Sequence, residues 1–214
     1  MRRMRVINYL DRLRHAITNS RDKLVLEELL SSYNKWKKSL SIIDFLNFMD
    51  IIQYKWKDVI MRLLKGYPQT LGQFRAFSFE EFIRDLIEQR ILRASSNIRV
   101  GWNEKVLVWR RGNEEYYSAF DLVIYKSMEP IIVVEAKVDV DAPRLRAFLL
   151  NSLLLKRIYN RVYTVLVYLN WKADEILKWL AKDFIDEIFN FKRESEVKLF
   201  MDYIKSLISD LDVR

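Results

Sequence analysis

The run PIIVVEAKVDV, from Pro130 to Val140, opens like a strand buried on both faces and then delivers Glu135, Ala136 and Lys137 with no turn signal. Residues two apart in a strand share a face, so Glu135 and Lys137 point the same way. A short turn around Ser127-Met128-Glu129 folds this strand back on the one before it. Pairing Lys126 with Pro130 sets Asp121 opposite Glu135, and cross-strand partners hold their Cβ atoms about 4.5–5.5 Å apart. A slip of two residues would leave the pair diagonal on the same face. Two carboxylates that close repel unless a cation offsets them, and a divalent ion does this well. Lys137, on that face, can hold a water or a phosphate oxygen beside the metal. The plainer alternative is a structural Asp–Lys–Glu cluster where the sheet meets solvent. Three charged groups converging in an otherwise apolar hairpin favour the metal reading.

A fourth carboxylate comes from a helix expected to open at Ser78 and run to about Ala94. Ser78 with Glu81 three residues on reads as a capping box. At about 100° per residue, Phe79, Phe82, Ile83, Leu86 and Ile87 form one apolar sector. Glu80 falls at its edge and Glu81 nearly opposite. Glu80 is therefore expected to face the sheet and Glu81 to face solvent, with an Arg84 pair as the alternative for Glu80.

Composition narrows the chemistry. The 214 residues include no cysteine and one histidine, His15. Disulfides, thiol nucleophiles, cysteine-rich zinc sites and mechanisms needing two histidines are excluded. A catalytic metal would rest on carboxylates and carbonyls, which suits Mg²⁺ or Mn²⁺. His15 lies in a basic, polar segment and reads as a surface residue. No Walker-type glycine loop is present. The net charge is +8, and Met1 to Thr70 alone holds 14 Lys/Arg against 7 Asp/Glu. A basic segment beside a nearly neutral one suits a polyanion, nucleic acid first. Lys35 and Lys37 flank Trp36, and Lys55 and Lys57 flank Trp56. Such clamps can stack on a strand, although a core tryptophan with snorkelling lysines explains them as well.

These residues need elements to position them. Residues 22–65 lack Gly and Pro and show helical spacing, with a break at Ser39–Ser41 and Ser41 as N-cap. GYPQTLG, Gly66 to Gly72, is the expected boundary between a basic helical region (1–72) and a second domain (73–214). In the latter, strands are expected over Lys105–Arg110, Tyr116–Lys126, Pro130–Val138 and Arg161–Leu169. Helices are expected from Asp141 to about Tyr159, over Ala173–Phe189, and over about Glu194–Leu211. The first three strands form an antiparallel meander, and the fourth returns parallel to the third after a helix. The fold class is α/β: a mixed four-stranded sheet flanked by helices, with an N-terminal helical region.

Phe79-Glu80 on a helix, Asp121 on one strand and Glu135-Ala136-Lys137 on the next resemble the PD-(D/E)XK nuclease superfamily, which includes restriction endonucleases and Holliday junction resolvases. The resemblance covers about Ser78 to Asn170. Asp121 follows Phe120 where the family name has proline. After the Glu-x-Lys strand, where members often carry Gln or Tyr, Asn151, Lys156 and Arg157 are the polar candidates. The resemblance implies a restriction-endonuclease-like core and a Mg²⁺-dependent endodeoxyribonuclease, with Mn²⁺ as a substitute. In it Asp121, Glu135 and the Ala136 carbonyl ligate the metal, Glu80 holds a second metal or a water, and Lys137 acts on the nucleophile. Lys35, Lys37, Lys55, Lys57, Lys156 and Arg157 would contact nucleic acid, with DNA ahead of RNA. A homodimer is compatible. The alternative is an inactive nuclease fold serving as a nucleic-acid-binding or dimeric structural module. No signal peptide and no apolar run of membrane length are evident, so a cytoplasmic location without membrane contact is expected.

Overall fold

The structure, a computed structural model, describes residues 5–65, 68–90 and 97–212. The chain divides into two compact units, Met1–Leu86 and Ile87–Arg214.

The first unit is helical. It contains α1 (Val6–Ala16), α2 (Ser20–Ser39), α3 (Ile42–Asp50), a π-helical segment (Ile51–Lys55), α4 (Lys57–Leu63) and most of α5 (Pro68–Arg90). Ser41 caps α3 as expected, accepting from Ile43 N at 3.2 Å. Helix α1 lies in the expected helical region, although the sequence reading places no individual helix before residue 22; Val6, Tyr9, Leu10 and Leu13 recur at helical spacing and are buried. Aromatic rings fill the centre. Phe45 and Phe82 stack with centroids 4.5 Å apart, and Trp36 meets Phe45 edge-on at 5.7 Å. Such pairs contribute about 0.5–1.5 kcal/mol beyond their buried area.

Helix α5 departs from expectation. It begins at Pro68, not Ser78, and passes through Gly72. Proline at the first helical position needs no N–H partner there. Ser78 lies mid-helix, where its hydroxyl donates to Phe74 O at 2.7 Å and caps nothing. The expected end near Ala94 falls outside the described residues.

The second unit is α/β. Its strands are β1 (Ile98–Arg111), β2 (Glu114–Lys126), β3 (Glu129–Val140), β4 (Tyr163–Trp171) and β5 (Glu187–Asn190); its helices are α6 (Ala142–Ile158), α7 (Glu175–Ala181) and α8 (Glu194–Asp212). One mixed sheet runs in the order β1-β2-β3-β4-β5. The β1–β2 and β2–β3 pairs are antiparallel, and β3–β4 and β4–β5 are parallel. The meander and the parallel return of β4 match the sequence reading. Asp141 caps α6 by accepting from Arg144 N at 2.9 Å. Val123, Val133 and Leu166 of the sheet share a core with Leu145, Phe148 and Leu155 of α6.

The sheet has five strands where four were expected. The helix assigned to Ala173–Phe189 stops at Ala181, and the chain returns to the sheet as β5. Asp186 anchors that return by accepting from Thr164 N at 2.7 Å and Thr164 Oγ1 at 2.8 Å. Phe189 and Phe191, two apart, both pack on Phe200 of α8. That period-two signal marked the strand.

Candidate active site

The β2–β3 hairpin decides where the charges meet. Ser127 and Met128 form its turn, both with positive φ (49° and 76°), as a two-residue type I′ turn needs. Beside the turn, Tyr125 pairs with Pro130 and Lys126 with Glu129, one residue off the expected register. An irregularity after Ile124 restores it, and Leu122↔Val134 through Ile124↔Ile132 follow the sequence reading. The β2–β3 ladder stops at Leu122↔Val134, one pair short of Asp121 and Glu135.

There Asp121 replaces the ladder with its own side chain. Its Oδ2 accepts from Ala136 N at 2.9 Å and from Lys137 Nζ at 2.8 Å. Lys137 Nζ also lies 2.5 Å from Glu135 Oε1. One ammonium thus joins the two carboxylates. Side-chain exposure is 4% for Asp121, 14% for Glu135 and 21% for Lys137, so the cluster lies at the edge of the core and keeps contact with solvent. Burial by itself would lower the Lys137 pKa, but the charges of Glu135 and Asp121 outweigh it and hold it above the ordinary lysine value. The N–H and C=O of a strand residue leave on the same edge. The Ala136 carbonyl therefore faces the edge on which its N–H meets Asp121.

Among the described residues no three His, Cys, Asp or Glu side chains gather into a metal cage. Magnesium does not require one, since it is commonly held by one or two carboxylates, with waters and substrate phosphates completing its shell. Asp121, Glu135 and the Ala136 carbonyl edge fit Mg²⁺ or Mn²⁺ in that manner, and the all-oxygen set does not suit zinc.

The expected carboxylates of α5 behave differently. Glu80 is 2% exposed within the first unit, where its charge raises the phenol pKa of Tyr9; burial is the larger cause and Arg12 opposes it. Glu81 was expected in solvent but is 1% exposed. Its Oε1 accepts from Tyr33 OH at 3.0 Å and Lys37 Nζ at 3.2 Å, and its Oε2 from Val6 N at 2.8 Å. Glu81 thereby caps α1 from another helix. Residues 79–83 are all buried, so α5 has no solvent face at that level. Helical spacing identified its apolar sector but could not show that neighbouring helices cover the rest.

The six cations assigned to nucleic acid are used unevenly. Lys37 pairs with Asp85 as well as Glu81 and is partly buried. Lys156 bonds Asp186 at 2.8 Å and Phe184 O at 3.1 Å, fixing the approach to β5. Lys35 pairs with Asp44 at 2.8 Å and Lys55 with Glu28 at 2.6 Å, both remaining mostly exposed. Lys57 and Arg157 are exposed. Trp36 is fully buried, while Trp56 donates to Glu28 at 2.7 Å.

No family model matches the chain, and no curated protein matches its sequence. Among solved structures it is similar to one described as the native BbvCI A2B2 tetramer at low resolution. The identity is 12%, over 86% of this chain and 87% of that one, with a TM-score of 0.47. Among the described residues no helix is long and apolar enough to cross a membrane.

Proposed function

We propose that this protein is a divalent-metal-dependent nuclease that hydrolyses phosphodiester bonds in nucleic acid, DNA in the first instance. The observation that carries the reading is the convergence of Asp121, Glu135 and Lys137 where the β2–β3 ladder ends. Asp121, Glu135 and the Ala136 carbonyl would hold Mg²⁺ or Mn²⁺. Bound there, the ion supplies a Lewis acid that polarises a phosphoryl oxygen. Lys137 is the cation of the site. Held beside both carboxylates, its ammonium donates hydrogen bonds within the site. It orients the attacking water and offsets charge on the phosphoryl group as the new P–O bond forms and the old one breaks. The exposed cations Lys35, Lys55, Lys57 and Arg157 would grip phosphates, with salt-sensitive affinity.

The test is a Mg²⁺-dependent cleavage assay on labelled duplex, single-stranded and branched DNA and on RNA, with Glu135→Ala as control. Wild-type cleavage that disappears in Glu135→Ala supports the reading. Equal cleavage by both proteins overturns it. Absence of cleavage, together with no Mn²⁺ binding, would instead point to an inactive binding module.

A further inference from the structure

The first unit contains a cavity of about 620 Å³ that the proposed chemistry does not use. Its basic lining comes from Arg12 and His15 of α1 and from Lys65, just past α4, with no carboxylate among the described lining residues. Ala16, Leu63 and Leu64 give it an apolar wall, and Thr70 adds a hydroxyl from the first turn of α5. The volume lies within the range of small-molecule sites, which pair apolar walls with a few placed polar groups.

Arg14, Lys35, Lys37, Lys55 and Arg62 each pair with a carboxylate. Arg12 and Lys65 have no such partner among the described residues; Arg12 only overlies the Tyr9 ring, at 6.0 Å. His15 Nδ1 donates to Asp11 O at 2.7 Å, leaving Nε2 as the second polar atom of the ring. Lys65 has a φ of 65°, a left-handed conformation where glycine is usual at a helix end. Basic residues are favoured at helix C-termini, which accounts for the placement of His15 and Lys65. That preference does not account for Arg12, a turn further back, nor for the cavity the three share.

We infer that this cavity binds a phosphate ester of nucleotide size, with Arg12, His15 and Lys65 on the phosphate and the leucine wall against the base or sugar. Arginine and lysine bind phosphate through charge-assisted hydrogen bonds. The ligand is a free mononucleotide or one nucleotide unit of a strand. The site stands on residues of the first unit and does not depend on cleavage by the second.

The intact protein has a single imidazole, so long-range ¹H–¹⁵N spectra report His15 without ambiguity. The titrants are adenosine 5′-monophosphate, adenosine and a 5′-phosphorylated DNA tetranucleotide. The two phosphate esters should shift the His15 signals saturably, and adenosine should not at the same concentration. Arg12→Gln and Lys65→Gln should each weaken binding roughly 5- to 10-fold. Lys23→Gln, with the same charge change away from the cavity, and Asp121→Asn should leave it unchanged. Tighter binding of the monophosphate assigns the site to a free nucleotide, and tighter binding of the tetranucleotide to a strand. The inference is overturned if neither ester shifts His15, if adenosine matches the monophosphate, or if the Arg12→Gln/Lys65→Gln double variant binds normally.

Discussion

Each unit holds a cluster of one Asp, one Glu and one Lys, and the two clusters differ in their surroundings. In the first, Lys37 bridges Glu81 and Asp85; in the second, Lys137 bridges Asp121 and Glu135. Glu81 is further bound by Tyr33 and Val6, and Asp85 by Arg84. Burial and then the Glu81 charge push the Tyr33 phenol above its ordinary range. This cluster ties α1, α2 and α5 together through donors fixed inside the helical unit. The second cluster lies where two strands stop pairing, and Glu135 is 14% exposed against 1% for Glu81. Residue types therefore do not distinguish a structural triad from a candidate catalytic one. The fixed donors around the carboxylates and their access to solvent do.

The largest expected effect lies in the closed cluster. Glu81→Ala would leave the Tyr33 hydroxyl and the Val6 N–H without their acceptor and Lys37 with Asp85 alone, and breaking a buried pair costs about 3–5 kcal/mol. Urea denaturation should show this loss, whereas a change below about 1 kcal/mol would show that the cluster does not hold the helices. Lys137→Ala should lower cleavage by about 10²–10³-fold, the scale of losing one transition-state donor. Its circular dichroism and melting temperature should stay near wild type; cleavage at the wild-type rate would remove Lys137 from the mechanism. Mn²⁺ at 100 times its dissociation constant should add about 2.7 kcal/mol to the second unit. Asp121→Asn should lose that gain and Lys37→Gln should keep it, and the opposite pattern would reverse the two roles.

The smallest effect concerns the pair between exposed Lys35 and half-buried Asp44, whose loss in Lys35→Ala should cost about 0–1 kcal/mol. Hydrogen bonds from Lys35 and then Ser39 hold the Asp44 carboxyl below its ordinary value. A depressed folded pKa stabilises above the unfolded value of about 3.9 and loses that contribution as pH falls through the folded one. The acid limb of a melting-temperature profile should therefore flatten in Lys35→Ala. An unchanged limb would show that the pair contributes nothing.

Much of the second unit was legible because its signals are local. The apolar run of β3, the turn at Ser127 and Met128 and the Asp141 cap each lie within a few residues of what they specify. The register across Leu122–Val134 follows from a short hairpin. The shift at Tyr125↔Pro130 escaped the reading because a bulge adds a residue without a distinct sequence mark. Helix α5 was misplaced for a related reason. SFEE satisfies a local capping rule, but the preceding residues also propagate a helix, and packing kept it continuous.

The sequence alone determined that Asp121, Glu135 and Lys137 share a strand-borne face, that cysteine chemistry is absent, and that one histidine serves the whole chain. Period-two geometry and composition are enough for those statements. Only the tertiary structure decided that Glu81 is buried, that Lys37 is held by two carboxylates, that β5 completes the sheet, and that Arg12, His15 and Lys65 share one cavity. Each of these depends on contacts between residues distant in the chain, and no local periodicity encodes them.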